Sequence, residues 1–143
     1  MANYYGVNKT KTLTPDGGHI VSAGDLGGNI RIMYDQYEAA GEAAGSVIYM
    51  GQQLPVGARV LNVILAHDAL GSATFDVGDT DDPDRYIDGA NVSSAGIVSM
   101  SEAALVDGLG YEIDGDNDQD ITILTISDAV TGTIKLLVFY TVD

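Results

Sequence analysis

Residues 60–66 read VLNVILA, a run with too few polar positions for a wet face and too short for a stable lone helix, which predicts a strand deep in a sheet. After a turn at Ala69, Leu70 and Gly71, residues 72–77 alternate strictly. Ala73, Phe75 and Val77 fall on one face and Ser72, Thr74 and Asp76 on the other, the pattern of a strand with one core face and one wet face. The spacing predicts that these two strands form a β-hairpin. Pro83 and the aspartates at 79, 81, 82 and 84 then end the ladder in an acidic loop.

The rest of the chain carries further short strands. From Asn29 the period is two, with Ile30, Ile32 and Tyr34 facing one way and Arg31, Met33 and Asp35 the other. Residues 37–45 are rich in alanine, but two glycines four apart each cost a helix about 1 kcal/mol, so a loop or single turn is expected. Strands are expected at 46–50, 95–100, 109–113 and 121–126. In the last of these the apolar phase slips from Ile121 and Ile123 to Leu124 and Ile126, which suggests a bulge or burial on both faces. Ser99 and Glu102 have capping-box spacing, yet Gly108 closes any helix there within two turns. The final strand, 133–142, sets Ile134, Leu136, Val138, Tyr140 and Val142 on one face and Leu137 and Phe139 on the other. A strand apolar on both sides calls for a second sheet on one face and for a loop or a neighbouring subunit on the other.

Short strands punctuated by Gly and Asp, with no confident helix, predict an all-β fold. We read residues 29–143 as an antiparallel β-sandwich, preferably a jelly roll, with an immunoglobulin-like sandwich as the alternative. Residues 1–28 hold Pro15 and six glycines with no sustained period, and read as an extended N-terminal arm. A frayed terminus is the commoner fate of such a segment, but Tyr4, Tyr5, Ile20 and Val21 are costly to leave in water, and an arm that docks on a partner or neighbouring subunit would bury them.

Charge sharpens this division. The chain has 6 basic and 21 acidic residues and a net charge of −15. That balance repels phosphate backbones and argues against nucleic-acid binding. Residues 1–35 are neutral, since Lys9, Lys11 and Arg31 balance Asp16, Asp25 and Asp35, so the body carries the surplus. Lys9 and Lys11 thereby join the candidate partner-binding residues. The absence of cysteine excludes disulfides, thiolate metal sites and thiol nucleophiles. No apolar run has the ~18 residues of a membrane span, and the first twelve residues lack the apolar core of a secretory signal.

Candidate chemistry is sparse. Asp114, Asp116, Asp118 and Asp120 alternate as in the first half of a calcium loop. The match then fails, because Gln119 stands where glycine and Thr125 where glutamate would be required. A solvated acidic turn is preferred there and at 79–84, and no metal or cofactor is expected. His67, Asp68 and Ser72 are close in sequence, but members of a catalytic triad converge from distant segments, so a strand-end histidine held by a turn carboxylate is the better reading. No nucleophile elbow, phosphate loop or zinc-protease motif is present.

The segment 53–89 resembles one in small structural proteins of tailed-phage virions. The likeness rests on residues 54–60 (LPVGARV), 68–71 (DALG), 77–79 (VGD) and 82–86 (DPDRY), about a quarter of the chain. The family it points to is that of capsid decoration or cement proteins. The resemblance implies β-sandwich subunits, often homotrimeric, on the outer surface of the virion, bound to the major capsid protein and clamping neighbouring capsomers without enzymatic activity. A carbohydrate-binding or receptor-binding module of a phage fibre is the alternative, although there is no Trp to build an aromatic platform.

Overall fold

The strands run in the order β1 (Ile30–Glu42), β2 (Val47–Met50), β3 (Arg59–His67), β4 (Thr74–Gly78), β5 (Ile87–Asn91) and β6 (Gly96–Ser99). A single-turn helix α1 (Leu105–Gly108) follows, then β7 (Ile121–Thr125) and β8 (Val130–Thr141). The computed structural model describes residues 27–125 and 127–142, with Tyr4, Lys9, Leu13 and Val21 from the leading segment. Of Leu124 and Thr125 it describes the backbone alone.

Two four-stranded antiparallel sheets form, in the orders β1-β8-β3-β6 and β2-β7-β4-β5. They pack as the expected sandwich. Within the pairing, β1 lies beside β8, β2 beside β7, β3 beside β6 and β4 beside β5, so the second half of the chain retraces the first. Inward side chains meet between the sheets: Val60, Val63, Leu65, Ile134, Leu136 and Val138 from one, Phe75, Val77, Ile121 and Ile123 from the other, all fully buried. Val60 and Val63 share a face although three apart, because the register shifts between Val60 and Asn62.

The hairpin expected from residues 60–77 does not form, since β3 and β4 belong to opposite sheets. Alternation shows which side chains seek the core, but not from which side of it. Here Leu65 and Phe75 reach the same core from opposite walls, and the link between them is a corner that buries Leu70 and Ala73. Backbone bonds from Asp68 N–H to Thr133 O (3.0 Å) and from Leu70 N–H to Val92 O (2.8 Å) fix it.

Residues 37–42 continue β1 instead of forming a loop. Pairing with β8 runs from Ile30 opposite Thr141 to Ala40 opposite Thr131, and these ladder bonds override the local glycine cost. Gly41, at φ +107°, takes the irregularity between Ala40 and Glu42. The Glu42 carboxylate accepts from the Ala40 N–H (2.7 Å) and the Tyr37 hydroxyl (2.6 Å). Residues 109–113 are likewise not a full strand; only Glu112 bridges to Arg59, while Gly110 N–H and Ile113 N–H bond the carbonyls of Val60 and Ala58. In β7, Ile121 and Ile123 lie inside and Thr122, 3% exposed, is covered on the other face; the side chain of Leu124 and the whole of Ile126, where the apolar phase slips, lie outside the described residues.

Candidate interaction surfaces

The outer faces of the two sheets differ sharply. On the β2-β7-β4-β5 sheet, Thr122 pairs with Tyr49 on one side and Gly78 on the other. Gly78 has no side chain, and the loop that follows folds back so that the Asp82 carbonyl and the Pro83 backbone occupy the space a Cβ would need. The acidic segment therefore lies on the sheet as a compact cap, with Asp79 buried and Asp81 and Asp84 exposed on its outer side.

Asp79 organises this cap. Its side chain is fully buried, and its carboxylate accepts from the N–H groups of Asp81 (3.0 Å) and Asp82 (2.8 Å) and from Arg85 Nε (2.5 Å). The Arg85 guanidinium stacks over the Tyr111 ring at 3.8 Å from its centroid. The Tyr111 hydroxyl donates to Asp118 (2.9 Å), itself buried, which also accepts from the N–H groups of Asp114 (2.8 Å) and Gly115 (2.9 Å). One chain of contacts thus joins the two acidic loops, which the sequence presents as unrelated.

Titration follows from that packing. Burial works to raise the Asp118 carboxyl, but the bonds from Asp114, Tyr111 and Gly115 outweigh it and hold the group below the usual carboxylate range. Burial, then the bond to Asp118, pushes the Tyr111 hydroxyl up to about 12. For Arg85, burial favours losing the proton, yet the bond and charge of Asp79 prevail and raise its pKa further.

Asp76 behaves in the opposite way. Burial raises its carboxyl, a bond from the Gly89 N–H (2.8 Å) pulls it down, and the nearby charges of Asp88 and Asp84 raise it again, leaving a net increase. A folded-state pKa above the unfolded one means that the native state binds the proton more tightly. Stability from this group therefore rises as pH falls through the raised value and is lost again as pH climbs. Asp76→Asn is expected to raise the melting temperature at pH 7, with the gain vanishing near pH 3, below the ordinary carboxylate value of ~3.9. Melting curves that differ equally at both pH values would refute this assignment.

The outer face of the β1-β8-β3-β6 sheet has no such cap. Register places Ile32, Phe139 and Asn62 in one row, Tyr34, Leu137, Ile64 and Ser99 in the next, and Gln36, Lys135, Ala66 and Ile97 in a third. Ile30, Ile32, Tyr34 and Ile97 are 65%, 58%, 55% and 76% exposed. The side chains of β8 that are apolar on both sides, Leu137 and Phe139, are half-buried at the centre of this face.

Of the candidate partner-binding residues in the arm, Tyr4 is 91% exposed, Lys9 is exposed and Val21 is half-buried. Lys9 and Leu13 have helical backbone. Tyr5, Lys11 and Ile20 lie outside the described residues.

The remaining sequence candidates do not assemble into a catalytic group. His67 Nδ1 bonds the backbone carbonyl of Asp68 (2.8 Å), not a turn carboxylate; the Asp68 carboxylate takes the Thr133 N–H (3.0 Å), and the Ser72 carbonyl accepts from the Ser127 hydroxyl. Among the described residues no three His, Asp or Glu side chains converge as a metal site. A depression of about 480 Å³ beside β1, lined by Met33, Asp35, Gly51 and Tyr140 among others, has its carboxylate bonded to the Gly51 N–H (2.6 Å). The buried Asp79 and Arg85 pair was the feature sequence reading missed. Its signal was a lone arginine within an acidic run, in a chain with 6 basic residues.

No protein-family profile matches the chain, and neither does any curated protein sequence. Solved structures do. A chain of the cyanophage Pam1 capsid asymmetric unit superposes with a TM-score of 0.68 at 24% identity, over 82% of this chain and 88% of that one. A chain of the Ralstonia phage GP4 capsid gives 0.65 at 20% identity, over 89% and 93% respectively. The fold is one found in phage capsids. At these identities the likeness is one of architecture, and it covers nearly the whole of each capsid chain.

Proposed function

We propose that this chain is a non-enzymatic structural protein of a phage virion, bound to the outer surface of the head as a decoration or cement protein. The observation that carries this reading is the shared fold, matched over most of the chain in two phage capsids. In our reading the nested strand pairing is that of a jelly roll, with strands returning in reverse order along the ribbon. A supporting feature is a neutral leading segment on an acidic body.

The partner we assign is the major capsid protein, gripped by residues 1–28 while the sandwiches form a trimer above it. Each contact need contribute only about 1–2 kcal/mol. Linked copies act together, so modest terms add up over a shell and mass action favours the assembled head. The test is co-sedimentation of the purified protein with heads that lack it. The wild-type chain should pellet with the heads. A full-length variant with Tyr4, Tyr5, Ile20 and Val21 all changed to serine should bind about tenfold more weakly or worse, a loss of at least ~1.4 kcal/mol. Wild-type protein left in the supernatant would refute the virion role, and equal binding by the variant would refute the arm.

A further inference from the structure

The uncapped sheet face differs from the rest of the molecule in charge as well as in polarity. The chain as a whole has 21 acidic and 6 basic residues. Outward positions of β1, β8, β3 and β6 depart from that ratio. Their charged residues are Glu38 on β1, Lys135 on β8 and Arg59 at the start of β3, and Arg59 is paired with Glu112 at 2.6 Å. Between them lie Ile30, Ile32, Tyr34, Phe139, Leu137, Ile64, Ala66 and Ile97 in register. The opposite outer face carries the cap with Asp81, Asp82 and Asp84.

We propose that copies of this chain associate with one another through the outer face of the β1-β8-β3-β6 sheet. This deepens the oligomer of the proposed function by naming its surface. The argument is electrostatic as much as hydrophobic. Two bodies at −15 repel, and contact through the acidic cap would concentrate like charges. Approach through the uncapped face brings together surfaces that are neutral in sum. Lys135 and Glu38, of opposite sign and a row apart, give each copy a complement for the other. Tyr34, Ile32 and Ile97 would lose their exposed apolar area there, and aromatic and aliphatic anchors around an uncharged centre are what stable interfaces use. Association through this face leaves the acidic caps on the outside of the assembly.

The test is the solution mass of the full chain, measured by sedimentation across a concentration series. The wild-type protein should be an oligomer of the 14.9 kDa chain. Ile32→Lys with Ile97→Lys moves the net charge toward zero, so any dissociation cannot come from greater overall repulsion. That variant should sediment as a monomer with an unchanged circular dichroism spectrum. Val106→Lys, at an 87% exposed site on α1 away from the face, should remain an oligomer. If the double variant does not fold, either single substitution serves the same comparison. A monomeric wild type, or a double variant as heavy as the wild type, would overturn the proposal. Head co-sedimentation separates it from the virion reading. A wild-type monomer that binds heads and loses them on Ile32→Lys assigns the face to the capsid and ends this proposal alone. An oligomer broken by the double variant but indifferent to heads ends the virion reading alone.

Discussion

Asp79→Ala is expected to cost the fold about 3–5 kcal/mol, the range for removing one partner of a buried ion pair. For a domain of this size that is roughly 10 °C of melting temperature or more. The magnitude follows from what is left behind. Arg85 keeps its charge, its side chain is only 10% exposed, and Asp79 is its closest carboxylate, with Asp82 at 3.7 Å. The N–H groups of Asp81 and Asp82 lose their acceptor in the same step. Stacking on Tyr111 holds the guanidinium in place, so it cannot swing out to water without giving up that contact as well. Asp81→Ala is the control: its side chain is exposed, and its loss should stay within ~0.5 kcal/mol. Urea titrations of the two variants at neutral pH decide the matter. Equal midpoints would mean that the pair carries no net stability.

The same cap shows where sequence reading succeeds and where it stops. Strand periodicity placed Phe75 and Val77 in the core and identified the run around Val63 as a strand flanked by two others, as it is between β8 and β6. Such local patterns depend on a side chain's own transfer free energy, which is visible one residue at a time. Pairing across the fold is not. Whether β4 joins β3 or crosses to the other wall depends on pairing with β7, where Val77 meets Ile123 far along the chain, and the hairpin expectation failed for that reason. Acidic loops suffer the same loss of information. Asp79 and Asp118 look like their solvated neighbours until Arg85 and Tyr111 are brought between them. Residues 37–42 err in the opposite direction, since local glycine cost suggested a loop and the partner strand β8 imposed a strand. For the uncapped face the signal was present in part: β8 is apolar on both sides, which required a cover without naming it.

Gly78→Ala tests the seating of the cap on the sheet, and it should lower stability by about 1–3 kcal/mol, as overpacking does. Alanine at this position meets the backbone of Asp82 and Pro83, not the end of a flexible side chain, so rotamer changes cannot relieve the overlap. Either β4 moves away from β7 and β5, or the loop lifts from the sheet. Lifting is resisted by the Asp79 N–H bond to the Asp82 carbonyl (3.0 Å) and by the carboxylate bonds described above. Displacing the loop would also shift Arg85 relative to Tyr111, so the loss should lie toward the upper end of that range. Gly96→Ala provides the comparison, because it too is a strand glycine, but the nearest atoms to its added methyl, on His67, lie at an ordinary 3.8 Å. That substitution should fall within ~0.5 kcal/mol of the wild type. Denaturant unfolding of both alanine variants, with amide exchange at Asp81 and Asp82 as a local readout, should show the first weakened and its loop amides deprotected. Two variants of equal stability would mean that the loop does not press on the sheet at Gly78.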